Sequence, residues 1–104
     1  MSFGGKLAST DVSAATNTLL YAVSGRIGFD SNIRVVNRND YDVEIRIAIV
    51  DGLTVNDLGD DDYIEYDTIL RPKGNLTLTG VRIKRNQAVV VYSGSANVSF
   101  SIDA

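Results

Sequence analysis

Between Asp42 and Val50 the chain reads DVEIRIAIV, and no other stretch restricts the fold as tightly. Val43, Ile45, Ile47 and Ile49 fall on one side of an extended backbone. Glu44 and Arg46 fall on the other, followed by Ala48 and Val50. A repeat of two is the period of a strand with one face on a core. The isoleucines and valines fit, because β-branched side chains suit a pleated surface. The run stops at Asp51-Gly52, a turn dipeptide. Read as a central strand, it buries the isoleucine face. Its other face changes from Glu44 and Arg46 to Ala48 and Val50. The C-terminal half therefore needs a cover, either the following loop, Asp51 to Asp62, or a second subunit.

The same period recurs along the chain. Leu19, Tyr21 and Val23 alternate up to the Ser24-Gly25 turn. Ile27 and Phe29 share a side, and Ile33 and Val35 share equivalent positions after a kink at Asp30 to Asn32, a bulge or a turn. Arg38-Asn39-Asp40 is a turn signal, and pairing across it predicts an antiparallel hairpin with DVEIRIAIV. Asp51 to Asp62 reads as a long surface loop. Tyr63 to Leu70 follows as a strand, then a turn at Arg71-Pro72-Lys73-Gly74. Leu76 and Leu78 alternate with threonines until Gly80 breaks the strand, and Val81 and Ile83 resume the pattern. Ala88 to Tyr92 is continuously apolar, as a strand covered on both faces would be. Val98, Phe100 and Ile102 alternate in the last strand. Only Asp11 to Thr18 leaves room for a helix, of a turn or two. Residues 1–13 read as an N-terminal arm with a short strand at Lys6 to Ser9. That arm is either disordered, laid on a neighbouring subunit, or an edge strand of its own domain. Residues 14–104 form one domain. The prediction is an all-β fold: an antiparallel β-sandwich, jelly-roll or Ig-like, of seven to nine short strands.

Composition narrows the function. The 104 residues contain no His and no Cys. This removes the commonest general base and metal ligand, the thiolate nucleophile and any disulfide. No Ser is marked by a partner motif, so the chain is expected to be no enzyme and to need no cofactor. The formal net charge is −3, against the basic excess of a nucleic-acid binder. No apolar run is long enough to span a membrane, and MSFGGKLAST is no secretory signal. Synthesis in the cytoplasm is expected, with no membrane partner. The sequon matches at Asn75-Leu76-Thr77 and Asn97-Val98-Ser99 are then read as chance.

A few groups remain as candidates. Asp57, Asp60, Asp61 and Asp62 crowd the long loop; carboxylates so placed can bind Ca²⁺, but the spacing is not that of an EF-hand. A solvated acidic loop is the reading preferred, with no metal site. Arg82, Lys84 and Arg85 make a basic group on one strand and its turn, suited either to an acidic partner or to guarding a sheet edge. Tyr41 and Tyr63 flank the central strand and the loop, where tyrosine serves recognition or caps a core. With Phe3, Lys6 and Leu7 of the arm, these basic and aromatic residues are the candidate interface.

Several blocks together carry a resemblance. They are AATNTLLYAV (Ala14 to Val23), Asn37-Arg38-Asn39, IRIAIVDG (Ile45 to Gly52), DYIEYDTIL (Asp62 to Leu70), TGVRI (Thr79 to Ile83) and VVVYSGSANVSFSI (Val89 to Ile102). In this succession the chain resembles small all-β virion structural proteins of tailed bacteriophages, cyanophages above all. The resemblance implies a many-copy β-sandwich module without an active site. The expected role is a capsid decoration (cement) protein, a homotrimer bound to the major capsid protein or other virion proteins after assembly in the host cytoplasm. The alternative is a tail, collar or fibre component acting in host adsorption.

Overall fold

A computed structural model describes residues 6–25 and 27–104, Lys6 by its backbone alone. Eight strands follow in order: β1 (Lys6–Asp11), β2 (Thr18–Ala22), β3 (Phe29–Asn37), β4 (Val43–Asp51), β5 (Tyr63–Leu70), β6 (Asn75–Ile83), β7 (Gln87–Ser93) and β8 (Val98–Asp103). They form two antiparallel sheets with orders β1-β8-β3-β6 and β2-β7-β4-β5. The pairs β1·β8, β2·β7, β3·β6 and β4·β5 are those of one long hairpin folded at its middle. The contacts β3·β8 and β4·β7 then roll that hairpin into two layers. This is the strand order of a jelly roll; an immunoglobulin sandwich would join its first two strands in one sheet.

Inward-facing side chains of both sheets meet in one core. Phe29, Ile33, Val35, Ile83, Val98, Phe100 and Ile102 come from the first sheet, and Leu20, Val43, Ile45, Ile47, Leu70, Val89 and Val91 from the second. The alternation predicted for β3, β4 and β8 is present: each buries every second residue over most of its length. β7 buries Ala88 to Val91 without interruption, as expected of a strand covered on both faces.

The predicted β3–β4 hairpin does not form, because the two strands lie in different sheets. Every connection except β4–β5 crosses the sandwich. Two buried asparagines make the crossing possible. The Asn37 side-chain amide donates to the carbonyls of Tyr41 (2.8 Å), Leu70 (3.2 Å) and Arg71 (3.0 Å). Its oxygen accepts from the Asn39 backbone N–H at 2.9 Å. Asn39 in turn donates to the Ala96 carbonyl at 2.9 Å. Three corners, β3–β4, β5–β6 and β7–β8, are thus tied by side chains that satisfy backbone groups no sheet could reach.

Other departures also trace to local backbone. β3 runs straight through Asp30 to Asn32; the irregularity lies across from it in β6. There Ser31 faces Val81 and Ile33 faces Leu78, so Thr79-Gly80 carries an extra residue. Gly80 adopts φ +66, a left-handed conformation that glycine takes without strain. Gly80 therefore does not end the strand. Its bulge keeps Leu78 and Val81, three apart, on one face. Ile27 stands outside β3 altogether. In β2 a register shift between Leu19 and Tyr21 brings Leu20 into the core and leaves Leu19 exposed. Asp11 to Thr18 holds a turn, with Ala15 at φ +54, and no helix. Of the readings of the N-terminal segment, residues 6–11 take that of an edge strand, paired to β8.

The cover foreseen over β4 is the chain's own. Ala48 and Val50, with Ala88 and Val90 of β7, form a second small apolar cluster on the outer face of the sheet. Ala22, Leu58 and Tyr63 close over it. Leu58 comes from the Asp51–Asp62 loop, which contains one short 3₁₀ turn, Val55–Asp57.

Candidate functional site

Beside this second cluster, the outer face of β4, β5 and β7 presents Arg46, Tyr66 and Tyr92. Arg46 lies directly across from Tyr92, so the two share the face. The β5 register shifts between Ile45 and Ile47, where Asp67 adopts φ +50. The resulting bulge brings Tyr66 and Asp67 over Arg46. The Arg46 Nε donates to Asp67 Oδ1 at 2.6 Å. Its guanidinium carbon sits 4.3 Å from the Tyr66 ring centre and 4.5 Å from that of Tyr92. A cation within about 6 Å of a ring face is attracted by the ring's quadrupole. Tyr63 meets Tyr66 edge to face, with centroids 4.8 Å apart.

The arrangement fixes a long side chain that would otherwise be mobile. Only 25% of the Arg46 side chain is exposed. The guanidinium is held charged beyond its already high ordinary range, first by the hydrogen bond to Asp67, with burial acting the other way. In front of it opens a cavity of about 440 Å³ lined by Arg46, Asp60, Tyr63 and Tyr66. That volume lies within the range of about 300–1,000 Å³ common for small-ligand clefts. Asp60 approaches from the loop and forms no hydrogen bond or ion pair among the described residues.

The neighbouring carboxylates have internal duties. Asp57 Oδ2 accepts from the backbone N–H groups of Leu53 and Thr54, both at 3.1 Å, and from the Thr54 hydroxyl at 3.0 Å. Asp62 Oδ2 accepts from the Gly59 N–H at 2.8 Å. These bonds shape the loop. Among the described residues no three carboxylates are grouped to hold a metal ion.

The candidate interface residues do not converge. Phe3 and the Lys6 side chain lie outside the described residues. Leu7 is half-buried and packs on the main core. Tyr41 is exposed next to the start of β4. Arg82 is exposed and pairs with Asp30 at 3.6 Å. Lys84 and Arg85 are exposed at the β6–β7 turn, near Gln87, which pairs with Asp51 at the far end of β4. Among the described candidates, only Tyr63 reaches the cavity. In the sequence Arg46 reads as an outward position, but Tyr92 falls in the run read as covered on both faces and Tyr66 on a face shared with Ile64, so nothing there joins the three. Their meeting depends on register and on the Asp67 bulge. No family model matches this chain, and no curated protein or solved structure shows significant similarity to it.

Proposed function

We propose that the chain is a non-enzymatic structural protein of a tailed-phage virion, a decoration protein that binds the assembled head as a homotrimer. Support comes from the sequence blocks quoted above and from a fold that recurs in viral capsid domains, an analogy at the level of architecture. One observation carries the attachment: Ile27, on the β2–β3 connection, is 81% exposed, the barest large apolar side chain among the described residues. It is held out beside a basic turn. The next residue, Gly28, runs so tightly along Ile83 and Lys84 that a Cβ there would meet the Ile83 carbonyl. Burying an isoleucine against a partner is worth about 1.5–3 kcal/mol. Lys84 and Arg85 would rim that contact and favour an acidic surface, the common form of an anchor with a charged border. An interface near 1,600 Å² per copy suffices for stable attachment. Because it forms only on the assembled shell, binding stabilises that state by mass action.

The test is co-sedimentation of the purified protein with heads that lack it. Saturation at a stoichiometry set by the capsid lattice is expected, with at least tenfold weaker binding for Ile27→Asp. Retention on tails alone, at the few-fold symmetry of a tail, replaces this reading by an adsorption role. No retention on any virion part refutes both.

A further inference from the structure

We infer that the cavity lined by Arg46, Asp60, Tyr63 and Tyr66 is a binding site for a neutral saccharide, a function separate from attachment to a particle. Three features of the site select this ligand class.

The first is the mixture of surfaces. Tyr63 and Tyr66 put aromatic carbon into the lining next to two charged groups. A sugar ring has the matching character: C–H patches that pack on aromatic carbon, and hydroxyls that both donate and accept. The second is the division of polar roles. Arg46 is a donor only, and its Nε–H is spent on Asp67. Its two amino groups have no protein partner among the described residues. Asp60 as a carboxylate is an acceptor only and is likewise unpartnered. Arg46 and Asp60 form no ion pair across the cavity, so each keeps its capacity for a ligand. Vicinal hydroxyls can donate to the carboxylate while ring and hydroxyl oxygens accept from the guanidinium.

The third feature is charge, which excludes the obvious rivals. Arg46 is neutralised by Asp67, and Asp60 adds a further negative charge, so an acidic sugar or a phosphate meets a site of net negative sign. A quaternary ammonium would seek the aromatic cage, but Arg46 already occupies the space between Tyr66 and Tyr92. The protein's own cation fills it. An uncharged polyhydroxylated ring fits what remains. The site is also pre-organised, because bulge, ion pair and ring stacking hold the guanidinium before any ligand arrives, which lowers the cost of binding.

The experiment uses the whole chain on an immobilised panel of neutral glycans (glucose-, galactose- and mannose-terminated) and acidic ones (uronate- and sialate-terminated). Titration calorimetry of the best binder follows. Selective retention of at least one neutral glycan is expected. Asp60→Asn should weaken it at least tenfold. Because Asp60 is exposed and its side chain makes no hydrogen bond or ion pair among the described residues, that variant should melt with the parent. Tyr66→Ala should also weaken binding at least tenfold. No retention of any neutral glycan, a preference for acidic glycans, or unchanged affinity in Asp60→Asn would each overturn the proposal. None of these outcomes bears on head binding through Ile27, so the two readings fail separately.

Discussion

The two sheets turn nearly identical inner faces to one core but very different outer faces to the surroundings. On the first sheet a groove of about 430 Å³ is lined by Asn32, Arg34, Thr77, Thr79, Ser101 and Asp103. On the second, a cavity of about 440 Å³ is lined by two tyrosines, an arginine and an aspartate. Size does not separate them; chemistry does. The groove has no aromatic ring; its lining is hydroxyls, one amide and the charged Arg34 and Asp103. The cavity sets rings against a clamped guanidinium and adjoins a buried apolar patch. Inner faces are dictated by packing and so converge on aliphatics and Phe. Outer faces are free of that demand, and an apolar or aromatic outer face therefore asks for an explanation in a way a polar one does not.

The contrast can be broken most directly by placing a charge on each outer face. Val90 is only 2% exposed beneath Ala22, Leu58 and Tyr63. Val90→Asp should cost at least about 4 kcal/mol or prevent folding, since it buries an unpaired carboxylate. Thr77→Asp, exposed and opposite Arg34 on the first sheet, should change stability by no more than about 0.5 kcal/mol. Urea unfolding compares the two, and equal effects would erase the distinction between the faces. Next in size is the corner that both sheets share. Asn37→Ala leaves several buried backbone groups without partners and should lower the unfolding free energy by about 2–4 kcal/mol.

Smaller effects sharpen the contrast. Tyr63→Ala uncovers the second cluster without touching the main core and should cost about 1–2 kcal/mol in the same assay. Last comes the ion pair itself. Arg46 and Asp67 are partly exposed, with side-chain exposures of 25% and 38%. A double-mutant cycle with Arg46→Met and Asp67→Asn should give a coupling of about 0.5–1 kcal/mol, reduced by salt. Arg34→Met on the polar face should register almost no change. A coupling near zero for Arg46 would mean that the stacked rings, and not the aspartate, fix the guanidinium.

The strands were legible in the sequence wherever the period of two ran unbroken, as in DVEIRIAIV and in Val98 to Ile102. Alternation reports which side chains go inward, but not which strand lies alongside. The β3–β4 hairpin was therefore a reasonable expectation from the Arg38 to Asp40 turn, and it was wrong. Asn37 and Asn39 stabilise a crossing instead, through bonds to residues more than thirty positions away. Bulges were the second source of error. The Leu78-to-Val81 offset signalled one in retrospect; Asp67, of a residue type depleted in strands and tolerant of a left-handed backbone, was a second sign, hidden by its place on the polar side of the Tyr63 to Leu70 alternation. The candidate site inherits both difficulties, since it joins β4, β5 and the loop through pairing and through that bulge. What the sequence did disclose was the mixed outer face of β4, where Ala48 and Val50 demanded a cover.

The place of β8 has a consequence for biosynthesis. Although last in sequence, it lies inside its sheet, paired to β1 on one side and β3 on the other. Until Val98 to Asp103 leave the ribosome, the first sheet has a gap at its centre, and β1 has no strand to join. The β4–β5 hairpin with β7 can assemble earlier, so the half of the molecule bearing the cavity is ready first. The other half closes in a late step that brings distant segments together, the slow kind of contact in folding. In the interval the inner face of β3, with Ile33 and Val35, is the surface a chaperone or a neighbouring nascent chain would meet.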